Sequence, residues 1–220
     1  MSKETVSLAV VRRLPRYYRH LHELMTEGVT RISSRELSHR LGLTASQIRQ
    51  DLNCFGEFGQ QGYGYSVDKL LREVGDILGL RRRLCAIMLG MGNIGRALCN
   101  NFDFRWAGVE LIGLFDISPA VIGQSFGGLA VMPLERLDDF VLTRKPEVAI
   151  LTMPRKAAHT MSARLSALAP IRGLWNFTNV DLRADLGEMP VEYVNFTDSL
   201  MTLCYRVKSS IADRDPADSQ

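Results

Sequence analysis

"LGMGNIGRAL", residues 89–98, places Gly90, Gly92 and Gly95 at the spacing G-x-G-x-x-G. The spacing alone is common; its surroundings give it meaning. It directly follows the apolar run "LCAIML" and opens a segment of helical composition, "NIGRALCNNF". A strand that enters a glycine turn and leaves as a helix is the βα unit of a dinucleotide-binding sheet. Gly90 permits the tight turn, Gly92 lets a pyrophosphate approach the backbone, and Gly95 lets helix and strand pack closely. Amides at the helix start then face the phosphates. The loop Gly90, Met91, Gly92, Asn93, Ile94 and Gly95 is therefore a candidate cofactor cradle. Asp116 closes the next apolar run, "LIGLFD", 21 residues beyond Gly95. A carboxylate there accepts hydrogen bonds from ribose hydroxyls and repels a 2′-phosphate, which favours NAD(H) over NADP(H).

Outward from this loop, toward the C-terminus, short apolar runs alternate with helical ones. "VELIGLF", "VAILTM", "IRGLWNF" and "VEYVNF" read as buried strands, and "LERLDDFVL" and "KAAHTMSARLSAL" as helices between them. Such alternation predicts a Rossmann-like, doubly wound α/β sheet over residues 81–196. "TMPRKAAH" at one strand tip is a second wall of the pocket, with Pro154 ending the strand and Arg155 or Lys156 within reach of a phosphate. "NFTNV", at the next tip, puts Asn176 near a nicotinamide. The final amphipathic run, "TDSLMTLCYRVKSSIA", reads as a helix, and the polar tail 211–220 as disordered.

The N-terminal part has a different pattern. Leu14, Tyr18, Leu21 and Met25 recur at helical spacing. "SSRELSHRLG" and "TASQIRQDLNCFG" read as two helices with capping boxes at Ser33/Glu36 and Thr44/Gln47, separated by the short turn "LGL". That is helix-turn-helix grammar. The glycine- and aromatic-rich stretch behind them, residues 56–65, reads as a hairpin, hence a wing, and "SVDKLLREVGDILGL" as a further helix. Residues 1–80 thus form a winged helix-turn-helix. Thr44, Ser46, Gln47, Arg49 and Gln50, at the start of the second helix of the motif, are candidate DNA contacts, with Gln60, Gln61 and Tyr63 on the wing. Arginine pairs with guanine and glutamine with adenine in a major groove.

Composition agrees. Residues 1–83 hold 14 Lys+Arg against 9 Asp+Glu, and the remainder 13 against 15. A basic first part suits an acidic partner. The chain has no apolar run long enough for a membrane span and no signal-peptide pattern, so a cytoplasmic protein is expected. The four cysteines and four histidines are scattered without ligand spacing, so no metal is expected. No acid–base set recommends itself, and His159 stands one turn into a helix; we therefore expect no enzyme. A nicotinamide-dependent oxidoreductase with an N-terminal winged-helix interaction module is the alternative, and a CoA-binding protein with a similar sheet a third.

On the residues "TASQIRQDLNCFGEFGQQGYGY", "LGMGNIGRAL", "LFDISP", "LTMPRKAA" and "NFTNV", the chain resembles the Rex family of redox-sensing transcriptional repressors, over roughly residues 6–208. The resemblance implies a homodimer binding operator DNA of metabolic and fermentation genes, released by NADH. It also implies that the C-terminal helix, residues 197–210, is swapped between subunits, and Phe196 stands where it would line the nicotinamide pocket. Two positions depart from what is frequent in the family. Gln50 stands where a basic residue often follows the recognition-helix arginine, which bears on the operator sequence. Asn195 stands where an acidic residue is frequent, which bears on a charge contact in the switch.

Overall fold

The structure, a computed structural model, describes residues 7–55, 59–60 and 64–212. It divides into two compact units, Met1–Arg83 and Leu84–Gln220.

In the first unit a single turn, α1 (Leu8–Val11), leads into α2 (Leu14–Thr26), which carries Pro15 in its first turn. Strand β1 (Arg31–Ile32) precedes α3 (Ser34–Leu41) and α4 (Ala45–Asn53). Both helix starts are capped, the Ser33 hydroxyl accepting from the Glu36 amide and the Thr44 hydroxyl from the Gln47 amide at 3.1 Å, but the capping box expected at Thr44/Gln47 does not close, because the Gln47 side chain donates to Asp51 instead. Glu36 also reaches back to the Ser33 amide, completing a capping box. Those backbone and side-chain bonds from Ser33 hold the Glu36 carboxyl below the usual range. Gly42 closes α3 in the left-handed region at φ 61°, and this tight exit sets the turn between the two helices. Strands β2 (Gly59–Gln60) and β3 (Gly64–Ser66) pair antiparallel, with β1 on the far side of β3. Within the described residues the wing is therefore an antiparallel strand pair, and residues 56–58 and 61–63 of the expected hairpin lie outside them. α5 (Val67–Ile77) follows, capped by Ser66.

The buried face of α2 differs from the expected one. Leu14, Tyr17, Leu21 and Leu24 are inside, whereas Met25 is exposed and Tyr18 only partly covered. Both sets fit a 3.6-residue period. Tyr17 wins the inner position because its ring packs among leucines while its hydroxyl finds a carboxylate there.

The second unit begins with β4 (Leu84–Leu89), α6 (Asn93–Asn101) and β5 (Val109–Asp116). A short hairpin follows, β6 (Ser125–Phe126) and β7 (Leu129–Pro133), then α7 (Leu137–Arg144), β8 (Val148–Leu151) and α8 (Arg155–Ser166). It ends with β9 (Gly173–Asn176), α9 (Arg183–Leu186), β10 (Val191–Tyr193) and α10 (Phe196–Ala212). Sheet order is β10-β9-β8-β4-β5-β7-β6, and every pairing is parallel except β6 with β7. The chain fills one half of the sheet from β4 through β7, then returns to the other side of β4 for β8 to β10. This is the dinucleotide-fold order, with its reversal between β4 and β8.

Strand periodicity puts alternate residues on opposite faces. Ile87 and Leu89 pack with Val141 of α7 and Leu165 of α8; Ala86 and Met88 face Phe104 and Val121. Both faces are covered, as a parallel sheet requires.

α10 is the exception to this burial. Phe196, Leu200, Met201, Leu203, Tyr205, Val207 and Ile211 are all exposed. The helix runs to Ala212, two residues past the expected boundary; the rest of the tail lies outside the described residues.

Candidate nucleotide and DNA sites

The strand reversal opens a crevice at the carboxyl ends of β4 and β8, and the glycine loop sits in it. Gly90 adopts φ +99°, and a Cβ there would lie 2.7 Å from the Met153 amide nitrogen, so only glycine fits between the two strand tips. A Cβ on Gly95 would collide with the Gly90 carbonyl, so α6 leaves the turn in direct contact with it. Gly92 is different. Its φ of −73° suits any residue, and a Cβ would meet nothing within 4 Å. Nothing within the described chain requires glycine at 92; the side chain is missing on the open face at the N-terminus of α6.

The loop backbone is held from both directions. The Met91 amide donates to Asp116 Oδ2 at 2.5 Å, and Arg96 Nε donates to the Met91 carbonyl at 2.8 Å. Asp116 Oδ1 accepts the Ser118 amide at 2.8 Å. A carboxylate has about four acceptor sites, so two remain for ribose hydroxyls. The Met91 side chain is buried, so this residue offers the crevice only backbone, while Asn93 and Ile94 are exposed beside it. Thr152 donates from Oγ1 to the carbonyl oxygens of Gly90 (2.6 Å) and Leu89 (3.1 Å), tying the tip of β8 to the turn. Behind Asp116 lies an apolar pocket lined by Ile117, Leu134, Met153, Pro154, Ala157 and Met161, a composition suited to a flat base.

Pro154 does not end the strand. β8 stops at Leu151, and Pro154 is the N-cap of α8, which places Arg155 and Lys156 in that helix's exposed first turn. Asn176 closes β9, but its amide is buried and makes three hydrogen bonds within its own loop. Oδ1 accepts from the Thr178 amide (2.9 Å) and hydroxyl (2.7 Å), and Nδ2 donates to the Val180 carbonyl (2.9 Å). Asn176 therefore shapes the "NFTNV" loop. Phe177 in that loop stands 6.4 Å, centroid to centroid, from Phe196 at the start of α10, and 4.7 Å from Trp175. His159 Nδ1 pairs with Asp185 at 2.6 Å, joining α8 to α9, and this bond holds the Asp185 carboxyl below its usual range. Burial pushes the Cys99 thiol up to about 11, so it stays protonated and unreactive at neutral pH.

In the first unit, Thr44, Ser46, Arg49 and Gln50 are exposed along the start of α4, and Gln47 is half-buried. Arg49 Nη1 donates to Ser34 Oγ at 3.1 Å, steadying the guanidinium against the first turn of α3. Gln60 lies in β2, and Gln61 and Tyr63 fall outside the described residues. On the inner side of α4, Asp51 is fully buried. It accepts bonds from Arg13 Nε (2.6 Å) and Nη2 (2.7 Å), from the Tyr17 hydroxyl (2.7 Å) and from Gln47 Nε2 (2.9 Å). Burial opposes the Asp51 charge, but the bonds from Arg13, Tyr17 and Gln47 outweigh it and hold the carboxyl below the usual range. Burial and the neighbouring carboxylate push the Tyr17 phenol well up.

Family models match each unit in turn: "Putative DNA-binding protein N-terminus" over residues 5–53 and "CoA binding domain" over residues 84–180. A curated relative, the redox-sensing transcriptional repressor Rex of Thermoanaerobacter sp. (strain X514), is 47% identical over 208 residues, covering 94% of this chain and 92% of the relative. The chain belongs to the Rex family of redox-sensing transcriptional repressors. Among solved structures, a Rex-family repressor, RSP, in complex with β-NAD+ and operator DNA is 42% identical, with a TM-score of 0.86 over 98% of this chain and 99% of that one. RSP in complex with β-NADH is 41% identical, with a TM-score of 0.86 over 96% and 98%.

For a Rex-family chain, two parts of these sites escaped the sequence reading. Thr152 is one; its hydroxyl acts on a carbonyl 62 residues away, which no local pattern reveals. The Arg13–Tyr17–Asp51 cluster is the other. Its signal was present, since Asp51 lies in the same stripe as Ile48 and Leu52, where a carboxylate needs partners.

Proposed function

We propose that this protein is a DNA-binding repressor that senses the NADH/NAD+ ratio, NADH binding releasing it from operator DNA. The observation that carries the reading is the likeness over nearly the whole chain to RSP, a protein captured with β-NAD+ and operator DNA and, separately, with β-NADH. Gly90, Met91, Gly92, Asn93, Ile94 and Gly95 cradle the pyrophosphate, and Asp116 holds the adenosine ribose. The pocket beside Pro154 takes the adenine, and the loop shaped by Asn176, with Phe196, borders the nicotinamide. When bound, the cofactor supplies a nicotinamide whose charge reports the redox state; the residues around it bind and orient without transferring hydride. Thr44, Ser46, Gln47, Arg49 and Gln50 face the major groove, and Gln60, Gln61 and Tyr63 are candidate contacts to the flanking phosphates. The working unit is a cytoplasmic homodimer. Its support is α10, whose apolar side chains stand exposed on a single chain and would be covered by a swapped partner.

A gel-shift assay tests the reading. NADH at micromolar concentration should release a DNA fragment selected from a random pool, and NAD+ should leave the complex intact. Release by neither nucleotide, or release by CoA with no competition from NADH, overturns it. Turnover of common alcohols or hydroxy acids with NAD+ would favour an oxidoreductase instead.

A further inference from the structure

The Asp51 cluster has a chemical consequence for the helix that carries it. Four donors converge on one fully buried carboxylate, two from Arg13, one from Tyr17 and one from Gln47. Arg13 and Tyr17 sit at the start of α2, Gln47 and Asp51 one turn apart on α4. The Arg13 fork is planar and bidentate, so it fixes an angle as well as a distance. As stability alone the arrangement is a poor choice. Buried ion pairs can often be replaced by apolar side chains of similar volume without loss, and Ile48 and Leu52 on either side already pack into the core.

What an apolar replacement could not do is orient Gln47. An amide oxygen and nitrogen are hard to tell apart from shape, but an ionised carboxylate only accepts. Gln47 must therefore turn its NH2 toward Asp51 Oδ1. One N–H is committed there; Oε1 and the second N–H are left. That pair, an acceptor beside a donor, matches the N6 donor and N7 acceptor of adenine in a major groove. Gln47 stands in the first turn of α4, where side chains of such helices reach base edges.

We propose that Asp51, held by Arg13 and Tyr17, is a positioning residue for base reading, fixing the Gln47 amide so that each half-site prefers adenine at one position. The inference rests on the DNA-binding reading. Asp51 touches no base; it acts through Gln47.

The test is sequence selection from a random DNA pool by the full-length parent, Asp51→Asn, Tyr17→Phe, Gln47→Met and the double variant Asp51→Asn/Gln47→Met. Each is accompanied by a thermal melt and an NADH titration. The parent should select adenine, on one strand or the other, at a position that Gln47→Met leaves unselective, a loss of roughly 5–150-fold in preference there. Asp51→Asn can accept or donate toward Gln47 and so frees the amide to flip. It should lower the preference at that same position about tenfold, leave the other positions as they were, and add nothing further in the Gln47→Met background. NADH affinity should stay within about twofold, because the cofactor crevice lies in the other unit. A folded Asp51→Asn that keeps the parent's preference everywhere, weakens all positions alike, or adds its full effect to Gln47→Met would overturn the proposal. If Asp51→Asn fails to fold, Tyr17→Phe decides on the same criteria with a smaller expected loss. A parent that selects no sequence at all overturns the DNA-binding reading itself, an outcome distinct from the others.

Discussion

The Met91 amide donates to Asp116 Oδ2 across 2.5 Å, so the residue proposed to hold the ribose also holds the loop proposed to hold the phosphates. Two functions meet in one carboxylate. Asp116→Ala should weaken NADH by roughly 10–100-fold, the worth of hydrogen bonds to a charged group at about 1.5–3 kcal/mol. It should also narrow the gap between NADH and NADPH, because the charge that repels a 2′-phosphate is gone. Calorimetry with both nucleotides checks this; unchanged affinities would remove Asp116 from the site.

Gly92 and Gly95 should respond differently to a side chain. Gly92→Val meets open space, so its melting temperature should stay within about 2 °C of the parent while NADH binding disappears. Gly95→Val drives a side chain into the Gly90 carbonyl and should lose about 1–3 kcal/mol of stability or more. Paired melts and titrations separate the two, and a Gly92→Val protein that binds NADH normally contradicts the phosphate assignment.

Arg49 is exposed, and its guanidinium donates to Ser34 Oγ. Arg49→Ala should lose about 1–3 kcal/mol per half-site against the selected operator, with NADH affinity unchanged. Raising salt from about 50 to 200 mM should weaken parent binding by roughly 10³–10⁵ if a dimer touches about 6–10 phosphates. Equal operator affinity for variant and parent would mean that Arg49 reads nothing.

Asp51 also sets an acid limit on the first unit. Its carboxyl is held lower in the folded state than in the unfolded chain, where an aspartate titrates near about 3.9. Its contribution to stability is therefore fully present above that unfolded value and is lost as pH falls through the folded one. The melting temperature of Asp51→Asn should trail the parent's at pH 7, and the gap should narrow below about pH 4. A gap that is constant from pH 7 to pH 3 would contradict this.

Much of the fold was readable because it is local. Ser33/Glu36 and Thr44/Gln47 announce two helix starts, and the glycine motif behind "LCAIML" announces the strand–turn–helix, each within a dozen residues. The β6–β7 hairpin was not foreseen. Its Gly127–Gly128 pair is a turn signal, but strands of two and five residues carry too little alternation to stand out. The face of α2 was misjudged by one position because Leu14 and Leu21 fit both the Tyr17/Leu24 and the Tyr18/Met25 stripes. What broke the tie was Asp51, 34 residues downstream of Tyr17, a partner that periodicity cannot see. Asn176 was placed at the right strand tip, but the commitment of its amide to Thr178 and Val180 depends on the path of the loop in space.

Phe196, at the start of α10, stands 6.4 Å from Phe177 of the loop proposed to border the nicotinamide. An apolar wall penalises the positive charge of an oxidised ring. Phe196→Ala should reduce the preference for NADH over NAD+ and leave DNA release incomplete at saturating NADH. By linkage, operator DNA should weaken NADH binding to the parent by the same factor that NADH weakens operator binding. Titrating NADH into both proteins with and without operator measures each quantity; a variant with the parent's preference and full release rules the role out.

The edges of the seven-stranded sheet are a two-residue strand, β6, and a three-residue strand, β10. Such short margins offer scarcely any unpaired backbone for another chain to extend. Polymerisation by strand addition is thereby discouraged even though the sheet is open at both ends.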